Sequence, residues 1–219
     1  ERCMAISVAV CVGEKTKEKM KNKLLEKTEK LNVGPYTDEK TDFGPLNNKA
    51  HYEKVLGYIN TGEKEGAKLI SDGRNFKLQG YEDGYFVGPT IFEDVKPNMK
   101  IYKEEIFGPV LSMMTTKTYD EALTLVNEHE LGNGAAVFTK SGNIAKHFTE
   151  NAKIGMIGVN VPIPVPVAYH SFGGWKRSLF GDHSMHGPDG VRFYTKLKTA
   201  TVTWVEDNAG PEFTIPVLS

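Results

Sequence analysis

Residues 110–160 read VLSMMTTKTYDEALTLVNEHELGNGAAVFTKSGNIAKHFTENAKIGMIGVN, and the fold turns on this stretch. Val110 to Thr116 is an apolar, β-branched run of strand length. Thr118-Tyr119-Asp120-Glu121 follows, a capping-box pattern, and Ala122, Leu123 and Val126 continue it at helical spacing. Ala135 to Thr139 reads as a second strand. Ser141 to Ala152 reads as a helix with Ile144 and Phe148 on its inner face, and Met156 to Asn160 as a third strand. Strand and helix alternate, which predicts an α/β fold with a mostly parallel sheet and helices on its faces.

Upstream, residues 3–12 read as a buried helix or helix start, with Ala5, Ser7 and Ala9 small enough for close packing. Residues 14–31 form an amphipathic helix whose apolar stripe is Met20, Leu24, Leu25, Thr28 and Leu31. A loop rich in Gly, Pro and Asp runs from Asn32 to Asn48. Tyr52, Val55, Leu56 and Ile59 then mark another helix at i, i+3, i+4 and i+7. Ala67 to Ile70 and Tyr85 to Glu93 are strand candidates, the latter bent or edge-like because of Pro89. Downstream, Val161-Pro162-Ile163-Pro164-Val165-Pro166 carries proline at every second residue. Those prolines remove one face's donors, so the segment is extended and stiff, either a surface connector or an apolar pocket wall. Lys198 to Trp204 alternates like a strand with no hairpin partner nearby. It either ends its own sheet or adds to a second subunit, and residues 206–219 read as a loose tail.

The 219 residues carry 27 basic and 28 acidic side chains, a formal charge of −1, and 39% hydrophobic residues. A packed core is expected, and nothing draws the chain to nucleic acid or an anionic membrane. The lysines of residues 15–30 are interleaved with glutamates, as on a solvated helix face. The apolar run from Met4 to Val12 is about half the length needed to span a bilayer. No secretory or transit-type signal is visible in the sequence. The two cysteines, Cys3 and Cys11, would sit roughly 12 Å apart on one helix, too far to bridge. They read as reduced intracellular thiols.

Three stretches carry candidate chemistry. Cys3 follows Arg2 and precedes an apolar helix, and both features lower a thiol pKa; the alternative is inert packing, which is also the reading of Cys11. In Glu104-Glu105-Ile106-Phe107-Gly108-Pro109 a carboxylate can accept two hydrogen bonds from a vicinal diol, and an aromatic can lie against a flat ring. The alternative is an exposed loop with a buried Phe. In Ser171-Phe172-Gly173-Gly174-Trp175-Lys176 the glycines admit a ligand or another strand, or simply make a turn. His183 and His186 lack a third partner at metal-ligand spacing, so no metal site is expected. There is no GxGxxG, Walker loop or serine nucleophile elbow.

In order, Glu1-Arg2-Cys3-Met4-Ala5, Glu104 through Val110 (EEIFGPV) and Ser171 through Lys176 (SFGGWK) resemble the aldehyde dehydrogenase superfamily. The first of these, with Asn160 through Val167 (NVPIPVPV) and Phe172 through Asp182, looks like its CoA-acylating methylmalonate-semialdehyde (malonate-semialdehyde) branch, known from valine and inositol catabolism. The likeness covers nearly the whole chain and weakens after Trp204. EEIFGP is general to the superfamily, whereas the proline stretch and Arg2 are specific to the branch.

The resemblance implies a role for each matching residue. Cys3 would be the nucleophile, passing through a thiohemiacetal and a thioacyl-enzyme. Arg2 would hold the substrate carboxylate, and Phe172 would line the substrate pocket. Glu105 would receive the nicotinamide ribose hydroxyls of NAD, with Phe107 packing beside the nicotinamide. The acyl group would pass to coenzyme A with loss of CO2, giving propionyl-CoA or acetyl-CoA. The family's dinucleotide-binding domain, oxyanion-hole Asn and usual general base precede its nucleophilic Cys. The chain is therefore expected to be the back part of a larger enzyme and to be inactive alone.

On this reading residues 1–185 are the thiol-bearing catalytic part, 186–205 a helix and an oligomerisation strand, and 206–219 a tail. A homo-oligomer would assemble through Lys198–Trp204, in the cytoplasm of a bacterium or the matrix of a mitochondrion. Two other classes stay open. One is a thiol acyltransferase or hydrolase pairing Cys3 with one of the six histidines. The other is a noncatalytic assembly module.

Overall fold

Val110 to Thr116 lies at the centre of a four-stranded sheet, buried along most of its length. A computed structural model of the 219-residue chain describes residues 4–202 and Trp204. In chain order the elements are β1 (Val8–Val12), α1 (Glu14–Thr28), α2 (Lys49–Lys64), β2 (Lys68–Ser71), β3 (Thr90–Glu93), α3 (Lys100–Lys103) and β4 (Val110–Thr116). Then come α4 (Tyr119–Glu128), β5 (Leu131–Gly132), β6 (Gly134–Val137), α5 (Gly142–Asn151), β7 (Met156–Val159), β8 (Trp175–Lys176) and α6 (Pro188–Tyr194).

The sheet order is β1-β4-β3-β2, parallel except for the antiparallel edge pair β2/β3. Two smaller sheets are separate from it, β6/β7 parallel and β5/β8 antiparallel. The mostly parallel α/β arrangement read from the alternation is the one observed. Phe92, Val55, Ile59, Val87 and Met114 centre one hydrophobic cluster between α2, α3 and the sheet. Ala9, Cys11, Ile91 and Met113 form a second, covered by Met20 and Leu24 of α1. Leu123, Phe148, Ala152 and Ile154 form the third, under α4 and α5.

The helix starts follow their sequence signals. Thr118 accepts the Glu121 amide hydrogen at 3.2 Å, and the Glu121 carboxylate returns to the amide of Lys117, one residue ahead of the cap, at 2.7 Å. Ser141 caps α5 through the Ile144 amide, and Asn48 caps α2 through that of His51. At the end of β7, Asn160 adopts a left-handed φ of 57° and locks to both backbone groups of Thr139. The proline-rich segment leaves from this clamp.

One expectation is corrected. Residues 3–12 are not a helix: Val8–Val12 is a strand, paired residue for residue with Ser112–Thr116. The small residues suggested helix packing, but Val8, Val10 and Val12 alternate with buried Ala9 and Cys11, a period of two that fits one more parallel strand. Of the two alternatives for Lys198–Trp204, an end to the chain's own sheet is excluded among the described residues: Lys198–Val202 and Trp204 pair with no strand of this chain, and Val202 and Trp204 are exposed. A strand needs a partner for its backbone bonds, and none of the described residues supplies one. Of the Tyr85–Glu93 candidate, only Thr90–Glu93, the part after Pro89, pairs. No helix among the described residues is long and apolar enough to cross a membrane.

Candidate active site

Residues Glu104–Gly108 connect α3 to β4 and lie along α2. Glu104 turns toward α2, where the Tyr58 hydroxyl donates to its Oε2 at 2.6 Å. Ile106 points into the main core and is buried. Phe107, at a left-handed φ of 58°, is 38% exposed, with its ring centroid 6.1 Å from that of His51. Glycine is required next, because a Cβ on Gly108 would sit 2.8 Å from both methyls of Val55. Glu105 is left exposed, and among the described residues it enters no hydrogen bond or ion pair. A carboxylate beside a partly exposed ring fits a diol joined to a flat heterocycle. The sequence reading with a buried Phe is reversed here: Ile106 is the anchor and Phe107 the surface. Burial, the Glu104 hydrogen bond and its negative charge push the Tyr58 pKa up to about 12, so its hydroxyl stays a donor.

The second glycine segment lies against the start of β7. A Cβ on Gly155 would meet the Gly173 carbonyl oxygen at 2.0 Å, so the two backbones touch. Lys176 anchors the segment from the other side, its ammonium donating to the carbonyls of Val126, Asn127 and His129 at 3.1, 3.0 and 2.8 Å. These are the open carbonyls at the C-terminal end of α4, where a cation is favoured. Burial, with a smaller contribution from the charge of Lys153, lowers the Lys176 pKa. His129 joins this corner to α3. It accepts the Leu131 amide hydrogen at Nδ1, which leaves Nε2 to donate to the Tyr102 carbonyl at 3.1 Å. Phe172 is half-buried and stacks on His186 at 4.7 Å with a 12° interplanar angle.

Glu1, Arg2 and Cys3 lie outside the described residues. The next residue, Met4, is tied to the second segment: the Asn133 amide donates to its sulfur at 3.0 Å. The Asn133 carbonyl oxygen lies 3.2 Å from where a Cβ on Gly174 would be. Asn133 thus brings the chain beside Cys3 together with the segment that carries Phe172. No hydrogen bond among the described residues links either to Glu105 or Phe107. Cys11 is buried, its thiol donates to Met20 sulfur at 3.5 Å, and burial raises its pKa, so its reading as packing stands. No cluster of three potential metal ligands occurs among the described residues. Val161, Ile163, Val165 and Val167 are exposed.

Tyr58, Lys176, His129 and Asn133 were not anticipated. Tyr58 lies three residues after Val55 of the stripe read from the sequence, an i, i+3 step that could have included it. Lys176 sits inside the quoted motif, but its partners are 47–50 residues away, beyond any local pattern.

A sequence model of the aldehyde dehydrogenase family matches residues 1–200. Over its whole length the chain is 50% identical to a malonate-semialdehyde dehydrogenase of Pseudomonas aeruginosa, of which it spans 44%. It is 46% identical, over 95% of its length, to a bovine mitochondrial protein named methylmalonate-semialdehyde/malonate-semialdehyde dehydrogenase [acylating], of which it spans 38%. Among solved structures, a candidate methylmalonate-semialdehyde dehydrogenase from Sinorhizobium meliloti 1021, complexed with NAD, superposes with a TM-score of 0.91 at 54% identity. That match covers 95% of this chain and 42% of the other. The methylmalonate-semialdehyde dehydrogenase of Oceanimonas doudoroffii also gives 0.91, at 52% identity over 94% and 42% of the two chains. This chain spans less than half the length of each of these proteins.

Proposed function

The chain belongs to the aldehyde dehydrogenase family, and we propose that it is the thiol-bearing part of an NAD-dependent, CoA-acylating methylmalonate- and malonate-semialdehyde dehydrogenase. The observation that carries this reading is the Glu104–Gly108 loop: an exposed carboxylate and a half-exposed ring, on a backbone anchored from below by Ile106 and Tyr58. The substrate class comes from relatives 46–50% identical over nearly the whole chain.

Arg2 holds the substrate carboxylate through its planar, bidentate donors, and its charge favours a neighbouring thiolate. The Cys3 thiolate attacks the aldehyde carbon and the carbonyl oxygen takes the charge, to which the Cys3 backbone N–H donates. NAD, when bound, accepts the hydride from that carbon; Glu105 receives its ribose hydroxyls and Phe107 lies by its ring. What remains on Cys3 is a thioester. The carboxylate held by Arg2 departs as CO2, and the electron pair it leaves on the α-carbon is delocalised into the thioester carbonyl and takes up a proton. The coenzyme A thiol then attacks the acyl carbon, losing its proton as the Cys3 sulfur leaves as thiolate. Propionyl-CoA results from the methylated substrate and acetyl-CoA from the unmethylated one. Phe172 lines the aldehyde side.

Residues 1–185 form the catalytic part, 186–205 the helix and a strand that pairs only with a second subunit, and 206–219 a tail. Such a homo-oligomer works in the cytoplasm of a bacterium or the matrix of a mitochondrion. The 219-residue chain assayed alone has no dehydrogenase activity, because the dinucleotide-binding part belongs to the remainder of the enzyme. The test is NADH formation by the complete enzyme with malonate semialdehyde, with and without coenzyme A. Acetyl-CoA formed in step with NADH is expected. Free acid formed at the same rate without coenzyme A would overturn the acylating assignment.

A further inference from the structure

One face of α2 follows the Glu104–Gly108 loop side chain by side chain. Tyr58, Val55 and His51 are spaced seven, four and zero residues from His51, so they share a stripe. Each meets a different loop residue: Tyr58 the Glu104 carboxylate at 2.6 Å, Val55 the bare α-carbon face of Gly108, and His51 the ring of Phe107. Ile106 is sunk into the cluster that contains Val55, Tyr58 and Ile59. Every residue from Glu104 to Gly108 except Glu105 is therefore held to α2 or the core.

Tyr58 is only 8% exposed, its ring held in the core, and its hydroxyl donates to the half-exposed Glu104 carboxylate at the edge of that core. The pair lies within a small positive field: the ammonium groups of Lys54 and Lys100 stand 5.6 and 5.4 Å from the Tyr58 ring centroid, and Lys100 is 3.7 Å from the Glu104 Oε2. A hydrogen bond from a hydroxyl to a carboxylate is stronger than one between neutral groups. It keeps Glu104 turned toward α2, and so keeps its neighbour on the outer side of the loop.

We propose that Tyr58 is a positioning residue for the nicotinamide-ribose site, acting through Glu104 to hold Glu105 in the orientation that accepts the ribose hydroxyls. This rests on the reading of Glu105 given above. Tyr58 touches neither substrate nor cofactor; its contribution is to restrict the loop before the cofactor arrives, which saves ordering cost on binding.

The experiment measures KM for NAD and kcat in the complete enzyme for Tyr58→Phe, Glu104→Gln, Glu105→Gln and Tyr58→Phe/Glu105→Gln, with thermal unfolding of each. Glu105→Gln raises KM for NAD. Tyr58→Phe raises it about tenfold, the worth of one charge-assisted hydrogen bond, with kcat within about twofold. Glu104→Gln behaves alike, and Tyr58→Phe adds nothing further once Glu105 is Gln. A lowered melting temperature with KM for NAD unchanged in Tyr58→Phe would make Tyr58 merely structural and overturn the proposal. Effects of Tyr58→Phe and Glu105→Gln that multiply would also overturn it. If Glu105→Gln itself leaves KM for NAD unchanged, the ribose assignment fails, and this proposal with it.

Discussion

The Lys176 ammonium lies 2.8 Å from the carbonyl oxygen of His129 and also reaches those of Val126 and Asn127, so the glycine motif of residues 171–176 caps the end of α4. The same His129 holds the Tyr102 carbonyl of α3. One helix terminus thus anchors both the segment bearing Phe172 and the helix that leads into Glu104.

Replacing Lys176 by Met keeps the aliphatic stem and removes the three bonds. The freed carbonyls are partly sheltered, and the expected loss of stability is about 2 kcal/mol. Urea unfolding checks this, with Lys153→Met as the control, since Lys153 makes no side-chain hydrogen bond among the described residues. An unfolding midpoint for Lys176→Met equal to that of the unaltered chain would show the cap to be dispensable.

Gly155→Ala is the sharper perturbation. The new methyl would stand 2.0 Å from the Gly173 carbonyl oxygen, and backbone on both sides cannot swing away. Overpacking of this kind costs about 1–3 kcal/mol. Because Gly173 neighbours Phe172, turnover of the aldehyde in the complete enzyme should fall more than NAD binding. Equal KM for aldehyde in the two proteins would separate the glycine contact from the substrate pocket.

Glu93 gives a pH signature. Its side chain on β3 is buried, with Lys68 of β2 at 2.5 Å and Lys21 of α1 at 3.3 Å. Burial opposes the ionised form, but the two ammonium groups outweigh it and hold the carboxyl below the usual glutamate range. A carboxylate depressed in the folded state binds fewer protons there than in the unfolded chain. Its stabilisation is present above about pH 4.5 and is lost as the pH falls through the folded pKa. Glu93→Gln should therefore cost about 2 kcal/mol near neutrality and progressively less toward pH 3. A difference independent of pH between the two proteins would contradict the assignment.

Local signals were readable where one segment decides the outcome. Val110–Thr116 is a strand from end to end as its composition indicates, and Thr118 and Glu121 cap α4 as their spacing indicates. Val8–Val12 was not readable, because five residues with small and β-branched side chains fit a buried helix turn as well as a strand. The decision belongs to the Ser112–Thr116 ladder a hundred residues later. The site divides the same way. Glu105 and Phe107 could be named from a motif, whereas Tyr58 reaches Glu104 across 46 residues and Lys176 reaches His129 across 47. No periodicity encodes those contacts.

The central claim is that Cys3 carries the acyl group, and intact and peptide mass spectrometry of the complete enzyme tests it most directly. After incubation with methylmalonate semialdehyde and NAD and an acid quench, the account predicts one acyl adduct, on the peptide bearing Cys3, discharged as propionyl-CoA when coenzyme A is supplied. Cys11, buried and hard to ionise, should stay unmodified. An adduct at any other residue, or one that coenzyme A does not remove, would contradict the account.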